Sequence, residues 1–218
     1  MPVCIYYLDI SLLSTYEMQR SLPLFPDFIV RSILKYRNSE DQLLVFAGKL
    51  LLLFALEQLE YSDKPDLSDM KYTTYKRPYF EYPIEFSIAH SGSYALLAFT
   101  TSCKIGIDIE KIHPIDLTDF SGVFTQKEWN ALNQQADWLQ PFFQLWTKKE
   151  AVAKAIGKGL YIPLSQIDVC NPTVEADGEI FWLHQVDIDN RYIINLAMSS
   201  QSEEIRVCKP NLRSYIHL

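Results

Sequence analysis

The sequence lacks the cysteine spacing of a disulfide framework or a zinc site. Its four cysteines (Cys4, Cys103, Cys170 and Cys208) are scattered and contain no CxxC pair, which favours reduced, packed thiols in a cytosolic protein. The sequence also lacks an excess of positive charge. Its formal net charge of −7 argues against general nucleic-acid binding, although a local basic pocket stays open.

Long apolar runs are also missing. The most apolar run, Leu43 to Leu56, is shorter than the roughly 20 residues that span a bilayer, and it carries Lys49 in its middle. We therefore predict a buried core helix there. Residues 2–10 lack the basic start and the small-residue cleavage site of a signal peptide. These absences predict a soluble, cytoplasmic protein with no membrane partner.

The chain does contain enough apolar material for a core. Of its 218 residues, 48% are hydrophobic and 13% are aromatic, so one large or two small folded domains are expected. The order of strand, helix and strand occurs twice, starting at residue 3 and again at Lys104, without a repeat of fixed period. This similarity predicts an α+β fold of two comparable halves that meet near residue 103.

Apolar periodicity and end signals predict the individual elements. Helices are expected at residues 26–36, at 39–59 with Ser39 as the cap, at 125–133 and at 141–156. Strands are expected at 3–9, within 76–80, 84–94 and 95–101, and at 105–112, 180–186, 192–198 and 204–209. Residues 62–75 are polar, contain a proline and are predicted to be a loop.

One predicted helix carries charged groups on a single face. In Phe142 to Gly159 (FFQLWTKKEAVAKAIGKG), Trp146, Glu150 and Lys154 recur at steps of four, so they lie above one another. A carboxylate between a tryptophan and two lysines, Lys149 and Lys154, suits a site where a metal and phosphates meet. The alternative for Glu150 and Lys154 is an exposed i,i+4 ion pair, which would stabilise the helix by about 0.2–0.5 kcal/mol.

A second pair of carboxylates lies on the predicted strand GIDIE. Asp108 and Glu110 are two residues apart and point the same way, so both can face one ion together with Glu150. Taken alone, they would more often be the solvent-facing side of a half-exposed strand whose isoleucines point inward. Together with a third carboxylate, Glu150 on the predicted helix, they favour a metal site.

Three motifs together resemble the phosphopantetheinyl transferases, in particular their long single-chain class. They are FSIAHSG at residues 86–92, GIDIEKI at 106–112 and WTKKEAVAKAIGKGL at 146–160, and the resemblance covers roughly residues 30–165. It implies a monomeric α+β fold with a pseudo-two-fold arrangement of two similar halves, residues 1–103 and 104–218. Coenzyme A and magnesium would lie in the cleft between them, with the metal site on the second half.

The resemblance also implies an enzyme, a holo-[carrier protein] synthase. A serine hydroxyl of an apo acyl or peptidyl carrier protein would attack the β-phosphorus of coenzyme A and release adenosine 3',5'-bisphosphate, with Mg²⁺ or Mn²⁺ required. The alternative is a non-catalytic member of the same fold that binds coenzyme A or a carrier protein. A serine hydrolase is disfavoured because the sequence has no GxSxG elbow.

The resemblance implies roles for individual residues. The metal ligands would be Asp108, Glu110 and Glu150; Arg77 and His90 would approach the coenzyme A phosphates; Lys154 would contact the pyrophosphate and serve catalysis.

Glu128 has two interpretations. The run Thr125-Gln126-Lys127-Glu128 fits the capping box S/T-x-x-E. The resembled family has a glutamate in a matching FTxxE-like segment, where it is proposed to take the proton from the carrier serine. The surrounding motifs favour the catalytic role for Glu128, but the sequence alone does not separate the two.

Overall fold

Two four-stranded sheets, each packed against one long helix, form most of the protein. The computed structural model describes residues 1–60, 63–120 and 122–216. The helices are α1 (Thr15–Ser21), α2 (Asp27–Leu34), α3 (Ser39–Glu57), α4 (Gln126–Asn133) and α5 (Leu139–Ile156). The strands are β1 (Val3–Asp9), β2 (Lys71–Tyr72), β3 (Pro78–Tyr79), β4 (Glu85–Ser91), β5 (Tyr94–Thr100), β6 (Ile105–Lys111), β7 (Thr173–Ala176), β8 (Glu179–Gln185), β9 (Tyr192–Met198) and β10 (Ile205–Cys208).

The sheet topology confirms the predicted α+β class. The first sheet has the order β10-β1-β5-β4 and the second β6-β9-β8-β7, while β2 and β3 form a separate pair. Strand β10 returns from the end of the chain to pair in parallel with β1. The division at residue 103 and the pseudo-two-fold relation between the halves stay predictions.

Helix α3 is the centre of the first core. Ten of its residues are buried, as the apolar run predicted, and they pack with α1, α2 and one face of the first sheet. The cap of the helix is Asn38, whose side chain accepts a hydrogen bond from the Glu40 amide at 3.0 Å. Ser39, the predicted cap, is instead the first helical residue, because Asn38 precedes it with the same capping chemistry.

Helix α5 covers the second sheet and ends where the sequence predicted. Gly157 closes it in the left-handed conformation (φ +78°), and its amide donates to the Ala153 carbonyl at 2.9 Å. The helix begins at Leu139, two residues before the predicted start. Pro141 is tolerated inside the first turn because the amides there have no partner within the helix.

The two sheets meet at their edge strands β4 and β6. The Ser87 hydroxyl accepts from the Ile107 amide at 3.1 Å, and the Ser91 hydroxyl accepts from the Lys111 amide at 3.0 Å. Apolar side chains of both sheets share one core cluster beneath this junction. Serine side chains therefore satisfy amides of β6 at the point where the two sheets meet.

Helix α1 and strands β2 and β7 lie outside the predicted helices and strands. Helix α1 follows a capping box made by Ser14 and Glu17, and β7 pairs with β8 at the end of the second sheet. The predicted loop at 62–75 contains β2 and a short 3₁₀ turn, Leu67–Asp69, while residue 62 lies outside the described part of the chain. Within the described residues, no helix combines the length and the apolarity needed to cross a membrane.

Candidate active site

The face of β6 that carries the two acids lies under α5. The strand's isoleucines (residues 105, 107 and 109) point into the apolar core, as the alternation predicted. Gly106, Asp108 and Glu110 therefore share the opposite face. A Cβ atom on Gly106 would lie 2.0 Å from the Ala151 carbonyl oxygen and 2.4 Å from the Ala155 nitrogen. Glycine thus lets the helix backbone touch the strand, so the acidic face is covered by a helix rather than by solvent.

Asp108 is buried, with 6% of its surface exposed. The Lys154 ammonium donates to its Oδ1 at 2.7 Å, whereas its buried Oδ2 has no hydrogen-bond partner among the residues the structure describes. Burial raises the pKa of Asp108 to about 7, Lys154 opposes the shift, and Glu110 and Glu150 add to it. The unpartnered oxygen marks an acceptor that can take a cation or a proton.

Glu110 is held by two side-chain donors. The Trp146 indole nitrogen donates to Oε1 at 3.3 Å, and the Ser91 hydroxyl donates to Oε2 at 2.8 Å. The sequence alone indicates no such contact for Trp146 or Ser91. In the structure both fix the orientation of a carboxylate in the cluster.

Glu150 lies on α5 between Trp146 and Lys154 and lines the adjoining cavity. Burial raises its pKa, Lys154 lowers it and Glu110 raises it further. The pKa of Glu150, like that of Asp108, thus depends on charges from both β6 and α5. The three predicted acids therefore lie near enough for their charges to act on one another, and Lys154 contacts Asp108 directly.

These donors fit a hard divalent cation. Mg²⁺ prefers carboxylate oxygens and keeps several water ligands, so it does not need all protein oxygens in direct mutual contact. The buried Oδ2 of Asp108 is an oxygen without a partner among the described residues, and the excess negative charge of the cluster favours a cation. The residues therefore suit the predicted metal, and its binding is treated below as a proposal.

Another group of potential ligands, Glu128, Asp168 and Cys170, has its ligand atoms within 4.8 Å of one another. Those atoms are already engaged: Lys127 pairs with Asp168 at 2.9 Å, and the Cys170 amide donates to Asp168 at 2.9 Å. Burial raises the pKa of the Cys170 thiol to about 11, so it stays protonated at neutral pH and is a poor metal ligand. Asp168 and Glu128 in this group already have partners in ion pairs.

A cavity of about 470 Å³ opens beside the acidic cluster. Its walls come from α3, from the turn before β3, from β4 and from the end of α5 with the turns that follow. The charged or ionisable side chains in its lining are Lys49, Lys76, Arg77, His90, Glu150, Lys154 and Tyr75. The cavity therefore combines a cationic lining with one edge of the carboxylate cluster.

Arg77 and His90, both predicted to approach phosphates, line this cavity. Arg77 forms an ion pair with Glu85, and it packs so closely on Gly157 that a Cβ there would lie 2.4 Å from its Cδ. Loss of hydration lowers the pKa of His90, and the charge of Lys154 lowers it further. His90 is therefore neutral at pH 7 when the cavity holds no anion.

Glu128 lies in a different environment. Its side chain is fully buried, accepts from the Thr125 amide at 2.7 Å and the Val169 amide at 2.9 Å, and pairs with the Lys149 ammonium at 2.7 Å. The Thr125 hydroxyl completes a capping box, and Glu128 is not among the residues that line the cavity. This position favours the capping role, because Thr125, Val169 and Lys149 already engage the oxygens of Glu128, and the catalytic role stays a prediction.

Lys149 lies in the same buried environment as Glu128. Its ammonium is fully buried and also donates to the carbonyl oxygens of Leu164, at 2.8 Å, and Ile167. Burial lowers its pKa, and Glu128 opposes that shift. Of the two lysines that flank Glu150 in the sequence, only Lys154 belongs to the cavity.

Comparisons with known proteins identify a family and individual relatives by sequence. A family model described as the 4'-phosphopantetheinyl transferase superfamily matches residues 104–197. The chain is similar to 4'-phosphopantetheinyl transferase gsp of Aneurinibacillus migulanus, with 33% identity over 137 residues, which are 62% of this chain and 57% of that one. It is also similar to 4'-phosphopantetheinyl transferase Sfp of Bacillus subtilis, with 32% identity over 155 residues, 67% and 65% of the two chains.

The matched region spans less than two thirds of the length of each of these two relatives. Among solved structures, the holo-[acyl-carrier-protein] synthase of Thermotoga maritima aligns with a TM-score of 0.34 and 17% identity, over 47% of this chain and 64% of that one. The matched residues 104–197 include β6 and α5, the two elements that carry the carboxylate cluster. The chain belongs to the 4'-phosphopantetheinyl transferase superfamily.

Proposed function

We propose that the protein transfers the 4'-phosphopantetheine group of coenzyme A to a serine of an apo acyl or peptidyl carrier protein. One observation carries the proposal: Glu150 and Lys154, whose charges act on the buried Asp108, line a cavity that Arg77 and His90 also line. The similarity of this chain to two proteins named 4'-phosphopantetheinyl transferase supports the same reaction.

The size and charge of the cavity suit coenzyme A. A volume of about 470 Å³ falls within the roughly 300–1,000 Å³ of ordinary cofactor sites. Coenzyme A carries a pyrophosphate and a 3'-phosphate, and the cavity lining supplies the cations Arg77 and Lys154, with His90 able to become charged. Charge-assisted hydrogen bonds to phosphate are among the stronger polar contacts that a protein makes.

Asp108, Glu110 and Glu150 would hold Mg²⁺. When bound, the ion would neutralise part of the negative charge on the pyrophosphate. Lys154 contributes to the same neutralisation from the helix side, because its ammonium already lies at the cluster. Trp146 and Ser91 keep Glu110 in the orientation that the site requires.

The proposed step forms one bond and breaks another. The serine oxygen of the carrier bonds to the β-phosphorus of coenzyme A, and the bond from that phosphorus to the bridging oxygen breaks. Adenosine 3',5'-bisphosphate leaves with the bonding electron pair, and Lys154 stabilises its charge. The serine proton passes to solvent water at the open side of the cavity, because Glu150, the acid that lines the cavity, is already assigned to the metal.

The test is to incubate the protein with MgCl₂, coenzyme A and an apo carrier protein and to measure the mass of the carrier. Transfer adds the mass of one phosphopantetheine group to the carrier, at the modified serine. If coenzyme A or the carrier binds without any mass gain, the chain is a non-catalytic binding member of the superfamily. The monomeric state and the cytoplasmic location stay predictions.

A further inference from the structure

Lys49 occupies a position that the proposed reaction leaves without a role. It lies on α3, four residues after Val45, so the two side chains share one helical face, and both line the cavity. The residues around it on the helix, such as Ala47, Leu50 and Leu51, are buried in the first core. Lys49 is therefore a cation placed at the boundary between this core and the cavity.

The other well-buried cations of the cavity already have carboxylate partners. Arg77 pairs with Glu85 and Lys154 pairs with Asp108. Lys49, by contrast, makes no ion pair and no side-chain hydrogen bond with any residue that the structure describes. Burial lowers its pKa, and the like charge of Lys35 lowers it further. The nearby charge is therefore repulsive and does not compensate for the lost hydration.

An unpaired, half-buried ammonium is costly to keep in a folded protein. One explanation is structural: the aliphatic stem of lysine covers apolar surface while the ammonium reaches water through the cavity mouth. A methionine would cover that surface equally well without the repulsion from Lys35. The other explanation is that an anion enters the cavity and supplies the missing partner.

We propose that Lys49 binds a phosphate group of coenzyme A from the α3 side of the cavity. The proposal rests on the proposed function, because the cavity takes this ligand only if the chain binds coenzyme A. Lys154 and Glu150 line the cavity from α5, whereas Lys49 would contact the ligand from α3. Lys49 is therefore a binding residue remote from the bond that breaks. Its loss is expected to weaken ground-state and transition-state binding alike.

The experiment compares Lys49→Met with Lys148→Met. Lys148 is a matched control: it is another lysine whose pKa burial lowers, it lies on α5, and it is not among the cavity-lining residues. Calorimetric titration of the intact protein with coenzyme A and with 3'-dephospho-coenzyme A measures both dissociation constants, and thermal melting without ligand checks the fold.

We expect Lys49→Met to raise the Kd for coenzyme A by about 10-fold or more, the loss of one charge-assisted hydrogen bond. The melting temperature without ligand should be unchanged or higher. Lys148→Met should change the Kd by less than about twofold, as expected for a distant, screened charge. A loss seen only with coenzyme A places Lys49 at the 3'-phosphate, and an equal loss with both ligands places it at the pyrophosphate.

If the wild-type protein binds coenzyme A and Lys49→Met binds it equally well, this inference is wrong and the proposed function stands. If both lysine variants weaken binding equally, the effect is one of general charge and the inference is also wrong. If the wild-type protein does not bind coenzyme A at all, the proposed function fails and the inference fails with it.

Discussion

The Glu128→Gln variant keeps the shape of the side chain and an acceptor for the cap amide but removes the charge that faces Lys149. Both partners of this pair are fully buried. Removing one partner of a buried pair typically destabilises a protein by about 3–5 kcal/mol. The Lys149 ammonium would keep its bonds to two carbonyl oxygens, so we expect the lower end, about 3 kcal/mol. For a chain of this size that corresponds to a melting temperature lower by roughly 6–12 °C.

Urea unfolding and the transfer rate per mole of folded protein separate the two roles of Glu128. The structural role predicts a lower urea midpoint with a nearly normal transfer rate at a temperature where both proteins are folded. Adding Lys149→Met should recover part of the stability, because no unpaired buried charge then remains. The reasoning is refuted if Glu128→Gln keeps its urea midpoint and loses about 10²-fold or more in rate, since that is the pattern of a general base.

Two further predictions concern the close approach of α5 to β6 and the charge of His90. Gly106→Ala should cost at least about 1–3 kcal/mol of stability and lower the transfer rate, because the added methyl group displaces the helix that carries part of the cluster. Gly122→Ala, which meets nothing within 4 Å, should be silent by urea unfolding. The pKa of His90 lies below its ordinary 6.5, with Asp41 and Glu110 opposing the shift; a bound phosphate raises it, so binding takes up a proton. Affinity for coenzyme A should therefore rise as the pH falls through the pKa that His90 has in the complex, and identical pH profiles for the wild type and His90→Gln would contradict this.

The sequence predicted the cluster better than its surroundings. The i,i+2 spacing of Asp108 and Glu110 and the i,i+4 spacing of Glu150 and Lys154 are local periodicities, and the structure brings these four side chains together. The alternation also indicated correctly that the strand's isoleucines point inward. It did not show whether solvent or a helix covers the acids, because that depends on contacts between distant segments. Gly106, which lets α5 approach, was a local signal of this close contact that was missed.

Contacts between distant segments also explain structural features of Lys49 and Glu128 that the sequence did not predict. Lys49 was predicted to lie within a buried core helix; the helix is buried, but one of its faces borders a cavity that residues 75–78 and 150–164 help to form. Helix α1 carried a readable signal, the Ser14–Glu17 capping box, that the sequence analysis left unused. For Glu128 the capping box was recognised, but its pairing with Lys149 joins α4 to α5 and has no local signature.

The most direct test of the central claim, that the acidic cluster is the reaction centre, is the transfer rate of Asp108→Asn at saturating Mg²⁺ and coenzyme A. The substitution keeps the volume of a buried side chain but removes its charge. Glu175→Gln, the same change on the exposed surface of β7, is the matched control. We predict a loss of at least about 10²-fold for Asp108→Asn in a folded protein, and a normal rate for the control. A normal rate for Asp108→Asn, or full wild-type activity in excess chelator, would contradict the account.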